Sequence, residues 1–192
     1  MIVLILGLVI FLGSHAVRLF AEDWRAGMIA RLGEGPWKGI FSLVSLIGLV
    51  LIVWGYGLTR LDPVVIWEPP VWTRHIAILL NLIALILLAI FIVPSGRLKA
   101  RLGHPMILGV KVWAFAHLLA NGTLADLLLF GSFLVWAIAD YAVSRRRDRA
   151  AGKVYVAGPA RNDAIALVLG VVLWAALVWR VHQWLIGVSP LA

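Results

Sequence analysis

Six stretches of nearly unbroken apolar residues run through the chain, at approximately 2–20, 39–58, 75–95, 105–120, 123–143 and 164–187. About 20 such residues match the hydrocarbon thickness of a bilayer. In lipid only a helix or a closed barrel satisfies its own backbone, and none of these runs alternates with period two. The pattern therefore predicts an all-α, polytopic membrane bundle of about six helices. The breaks carry turn chemistry at Gly33, Gly35 and Pro36, at Asp62-Pro63 and Pro69-Pro70, at Pro94 to Gly96, at Asn121-Gly122 and at Gly158-Pro159. Such short connections predict a single domain over residues 1–192, with no internal repeat. The N-terminal run MIVLILGLVIFLG has no basic region before it and no small-residue cleavage site after it, so it reads as a retained helix.

Basic residues orient the spans. Of 17 Lys and Arg, 13 fall in the loops after spans one, three and five, including Arg145, Arg146, Arg147, Arg149, Lys153 and Arg161. Basic loops favour the cytoplasm, so both termini are expected outside. The formal net charge of +8 is thereby accounted for as membrane-orienting charge, and no nucleic-acid partner is expected. Trp24, Trp37, Trp67, Trp72 and Trp184 fall near predicted span ends, where an aromatic belt is expected. With no cysteine in the chain, disulfides, thiolate ligands and a Cys nucleophile are excluded.

Span four departs from the others. Pro105 to Ala120 makes roughly 24 Å of helix, short of a hydrocarbon core of about 30 Å. Asn121-Gly122 then turns the chain into span five, so the two spans are expected to form a hairpin among the other helices. Met106, Val110, Trp113 and His117 share one stripe of this helix. A histidine inside a membrane bundle marks a functional site or is a neutral imidazole bonded within the protein, and spacing leaves both open. Lys111 can snorkel to the cytoplasmic side or pair with Asp140.

His15 lies inside span one, and His15, Arg18, Glu22 and Arg25 are expected to share a face, with Arg18 and Glu22 at i, i+4 spacing. His75 and His182 fall at the outer ends of spans, where water satisfies an imidazole. His104, before Pro105, suits a helix start. Two neutral imidazoles on different helices fit haem, whose iron takes one or two axial ligands in an apolar slot. They fit catalytic zinc less well, since it takes three protein ligands. Basic side chains such as Arg18, Arg25 and Lys111 suit the propionates. The absence of a CxxCH sequence excludes covalent attachment.

The run HPMILGVKVWAFAHLLANGTLADLLLFGSFLVWAIAD resembles the core segment of the NnrU family, bacterial membrane proteins linked to nitrite and nitric oxide metabolism and related to 15-cis-ζ-carotene isomerase. FLGSHAVR and FSLVSLIGL also resemble that family, so the likeness extends through about residue 147. After that the tail is similar only in being a basic loop followed by a final span at 164–187. The resemblance implies haem b held by axial histidines, which correspond to His15 and His117, with Trp113, Arg18 and Lys111 near the cofactor. It also implies a location in the bacterial inner membrane, among membrane lipid. The isomerase has a cysteine three residues before its second histidine; Ala114 stands there. Gly103 stands where the family usually has Arg.

Two activities follow from the resemblance, an accessory role in nitrogen-oxide metabolism and a redox-gated cis–trans isomerisation of an apolar polyene. Depth along the helices does not by itself pair the histidines: at 1.5 Å per residue His15 stands roughly 8 Å from the cytoplasmic edge and His117 roughly 18 Å. A different class is a membrane methyltransferase, since His-Pro-x-x-x-Gly opening a helix is also similar to the cofactor region of the isoprenylcysteine methyltransferases. Those enzymes continue into a soluble acidic part, whereas this chain continues with arginines and another span. A non-enzymatic structural subunit is the third option. Oligomeric state and catalytic residues are not legible in the sequence.

Overall fold

The computed structural model describes residues 1–191. Helix α1 (Ile2–Phe20), α2 (Glu22–Leu32), α3 (Glu34–Thr59), α4 (Val71–Ile92), α5 (Arg97–Leu102), α6 (Pro105–Ala120), α7 (Leu124–Ala150) and α8 (Ala160–Ala176) follow in order. A π turn (Leu177–Val181) then leads into α9 (His182–Ile186). Among the described residues five helical segments are long and apolar enough to cross a membrane: α1, α3, α4, α7 and the continuous stretch Ala160–Ile186. Helix α6 is the shorter apolar one. The helical membrane class and the short fourth span are thus as the apolar pattern predicts.

Three segments expected as loops are helical. Residues 22–32 form α2, and α3 starts at Glu34, so Gly35 and Pro36 lie in its first turn rather than in a break. A proline costs little there because first-turn N–H groups have no intrahelical partner. Residues 97–102 form α5. Helix α7 continues to Ala150, carrying Arg145 to Arg149 as helix rather than loop. Polar exposed helices of this kind leave no apolar run to read.

Contacts group the chain into two compact units, one of residues 1–67 with 122–140 and one of residues 68–121 with 141–192. In the first, α1 packs along α3 over a glycine seam. A Cβ on Gly7 would lie 2.6 Å from the Ile52 backbone nitrogen, one on Gly48 2.7 Å from that of Phe11, and one on Gly55 would collide with the Leu4 backbone. Without a hydrophobic drive between helices in lipid, such close backbone approach supplies the packing energy. Leu4, Leu8, Ile52, Leu129 and Phe130 are buried in this unit.

The chain at Gly122 is locked within the same unit. Ile66 and Trp67 donate backbone hydrogen bonds to the Gly122 carbonyl at 2.8 and 3.1 Å, and Leu124 donates to the Val64 carbonyl at 2.8 Å. A methyl group on Gly122 would strike the Trp67 carbonyl oxygen. Asp126, 4% exposed, accepts from the Tyr56 hydroxyl at 2.6 Å, the Thr123 hydroxyl at 2.6 Å and the Thr123 N–H at 3.0 Å. Asp126→Ala orphans these donors and is expected to lower stability by about 3 kcal/mol, since each unsatisfied buried donor costs about 1–3 kcal/mol. Thermal unfolding in detergent would show it, and Asp126→Asn should lose less.

In the second unit, Ala89, Ile90, Val93 and Ala166 form a buried cluster beneath Ile86, Leu98, Leu102 and Leu169. Helix α6 lies against α4 through Gly109, where a Cβ would sit 3.1 Å from the Ala84 carbonyl oxygen. The Trp174 indole donates to the Ile78 carbonyl at 2.9 Å, tying α8 to α4. The sharp change of direction at Pro94 to Gly96 is held by charge. Lys99 Nζ donates to the Phe91 and Val93 carbonyls at 2.6 and 2.9 Å. The Asp163 carboxylate accepts the Arg97 and Leu98 N–H groups at 3.0 Å each, which opposes the positive end of α5.

Candidate functional site

His15 is on α1 in the first unit and His117 on α6 in the second. Each ring is held by the same local device. His15 Nδ1 lies 2.7 Å from the Phe11 carbonyl oxygen, and His117 Nδ1 lies 2.8 Å from the Trp113 carbonyl oxygen. A carbonyl only accepts, so each Nδ1 is the donor in its bond. Among the described residues no other histidine makes this bond to the carbonyl four residues back. His182 Nδ1 instead meets the Val188 carbonyl at 2.7 Å in an exposed setting, and His75 is exposed.

Aromatic rings surround His15. Phe11 stacks on it at 4.3 Å between centroids, Phe41 meets it edge-on at 5.0 Å and Trp136 edge-on at 5.9 Å. Phe133 in turn lies 5.6 Å from Phe11. Ser14 Oγ stands 3.4 Å from His15 Nδ1. The Trp136 indole nitrogen is buried and has no hydrogen-bond partner among the described residues. That is an open donor beside an imidazole, in surroundings where an unmade hydrogen bond costs about 1–3 kcal/mol.

Trp113 lies 5.1 Å from the His117 ring, one turn earlier on α6, as the stripe predicts. The stripe itself is half-buried, while the fully buried positions of α6 are Pro105, Ile107, Gly109, Ala114 and Ala116. Lys111 Nζ sits 5.0 Å over the Tyr141 ring, a cation–π contact. Arg18 is exposed, one turn past His15. The expected continuous face from His15 to Arg25 is broken, because α1 stops at Phe20 and Ala21 leaves helical geometry. Glu22 pairs with Arg25 at 2.9 Å within α2. Among the described residues no three His, Cys, Asp or Glu side chains are grouped to hold a metal ion.

The sequence model of the NnrU protein family matches residues 3–190. The chain belongs to the NnrU family. Comparison with curated proteins and with solved structures returned no match. The NnrU match takes in the tail after residue 147, where resemblance alone had found only a basic loop and a span.

Sequence reasoning missed several partners in this NnrU chain. The aromatic wall of His15 was half legible, since Phe11 stands four residues before it, but Phe41 and Trp136 come from other helices. His104, expected as a helix start, does cap α6, yet its side chain is engaged elsewhere. Its Nε2 lies 2.7 Å from Asp148 Oδ2, which also accepts from the Tyr155 hydroxyl at 2.6 Å. Burial, and then this bond to Asp148, push the Tyr155 phenol above its ordinary pKa, so it remains a donor at neutral pH. Asp148 was hidden in an arginine run.

Proposed function

We propose that this NnrU-family protein binds haem b, which His15 and His117 would hold, and acts in nitrite or nitric oxide metabolism in the bacterial cytoplasmic membrane. The observation that carries the reading is the shared ring placement, each Nδ1 bonded to the backbone carbonyl four residues back, in which Nε2 would be the ligand atom. Histidines that hold metals are oriented in this way. The donor set fits the group in two further respects. Phe11, Phe41 and Trp136 give His15 an apolar, ring-lined setting, and the Trp136 N–H is available to a polar edge. Arg18 and Lys111 supply cations for the propionates. When bound, haem supplies an iron that changes oxidation state within an apolar site. The aromatic wall around His15 favours a second reading, in which an apolar polyene undergoes cis–trans isomerisation.

An absorption spectrum of detergent-purified protein from haem-supplemented cells tests the first reading. A Soret band with sharp reduced α and β bands is expected, and a colourless preparation would sink it. Turnover of a cis-polyene by the coloured protein would move the assignment to the isomerase. The proposed orientation has its own test. Alkaline phosphatase folds productively only outside the cytoplasm, so a fusion after Arg149 should be inactive. An active fusion would overturn it.

A further inference from the structure

The segment 151–159, joining α7 to α8, is pinned from one side. The Tyr155 hydroxyl donates to Asp148 at 2.6 Å and lies 3.2 Å from His104 Nε2. Ser95 Oγ donates to the Val156 carbonyl at 3.1 Å, Gly158 closes against the Ser95 carbonyl, and Asn162 donates to that same carbonyl at 2.8 Å. In extended chain alternate side chains point opposite ways. With Tyr155 turned inward, Val154 and Val156 are turned out, and they are 81% and 80% exposed.

The elements joined by these contacts carry unbalanced positive charge. Arg97 and Arg101 on α5, Arg146 and Arg149 on the last turns of α7, and Arg161 on the first turn of α8 are all exposed. None has an ion-pair partner among the described residues. The two carboxylates nearest these arginines in the chain are engaged within the fold. Asp148 serves His104 and Tyr155, with Lys153 at 3.8 Å, and Asp163 caps α5. Cations around a pair of outward β-branched side chains match one chemistry: a phosphate headgroup with acyl chain beneath it.

The geometry points to an anionic-phospholipid docking surface formed by Val154 and Val156 with Arg97, Arg101, Arg146, Arg149 and Arg161. The valines enter the acyl boundary and the guanidiniums bind lipid phosphates, to which they offer bidentate donors. A free phosphate ion would gain nothing from the valines, and a soluble polyanion would leave them in water.

Native mass spectrometry of the whole detergent-purified protein, titrated with dioleoylphosphatidylglycerol or dioleoylphosphatidylcholine, tests the surface. The anionic lipid should be retained at least tenfold more tightly. The pair Arg146→Gln with Arg149→Gln, and separately Arg97→Gln with Arg101→Gln, should weaken it about fivefold per charge removed. These side chains are exposed, so the variants should keep the parent Tm. Because the chain has no cysteine, Val154→Cys gives a single site for an environment-sensitive fluorophore, with Ala151→Cys as an aqueous reference. In phosphatidylglycerol nanodiscs the label at 154 should shift to the blue and be quenched by spin-labelled lipid. Equal retention of the two lipids, displacement by inorganic phosphate beyond that of chloride at equal ionic strength, or water-like emission from 154 would each overturn the assignment.

Discussion

His117→Ala is expected to abolish the low-spin haem spectrum. A methyl group offers no nitrogen, and the chain has no cysteine to stand in. The loss should be a ligand effect rather than unfolding, because His117 is half-buried and its ring bond is to its own helix. Far-ultraviolet circular dichroism and Tm should therefore stay near the parent values while the α and β bands vanish. His15→Ala should either lose the cofactor too or leave a five-coordinate, high-spin iron, and added imidazole should restore the low-spin form. His75→Ala and His182→Ala should leave the bands in place. A spectrum that needs His75 or His182 and survives His15→Ala would remove the assignment of His15.

Gly55→Leu should cost the most stability of any single change considered. A leucine there has to displace the Leu4 backbone, which no rotamer change relieves. Overpacking typically costs about 1–3 kcal/mol when side chains can shift, and backbone displacement costs more. Because Phe11 and His15 ride on α1 and Phe41 on α3, prising the seam open should also loosen the rings around His15. Expected results are a large fall in Tm and in the monodisperse fraction on gel filtration. Gly57→Leu, two residues on and facing open space, should change neither. If both variants behave alike, the seam does not hold these helices together.

Much of this was legible in the sequence because lipid imposes a simple rule. Apolar length located α1, α3, α4, α6, α7 and the final span, and Pro105 with Asn121 bracketed the short one. The same rule is silent where helices are polar. Helix α2 contains Glu22, Asp23, Arg25 and Arg31 and buries no residue, so nothing periodic announced it. Within the candidate site, His15 and His117 were singled out by their unusual setting and by resemblance, and the i−4 carbonyl bond follows from helix geometry. Partners contributed by distant segments left no local signature. Trp136, Tyr155 and Asp148 carry no periodicity or motif that sets them apart in the sequence. The glycine seam was invisible for a related reason: Gly48 and Gly55 look the same on paper as Gly57.

The π turn at Leu177–Val181 gives the end of the chain a property of its own. Its i→i+5 bonding accommodates one residue more than an α-turn, and one residue corresponds to a rotation of about 100°. Residues after the bulge therefore lie about 100° from where an uninterrupted α-helix would carry them. In evolutionary terms the segment behaves like a tolerated single-residue insertion, absorbed as a bulge rather than by shifting the helix along α4. Removing one residue between 177 and 181 would return the segment to regular α-helix and leave Trp184, 82% exposed, on the side of its span that it already occupies.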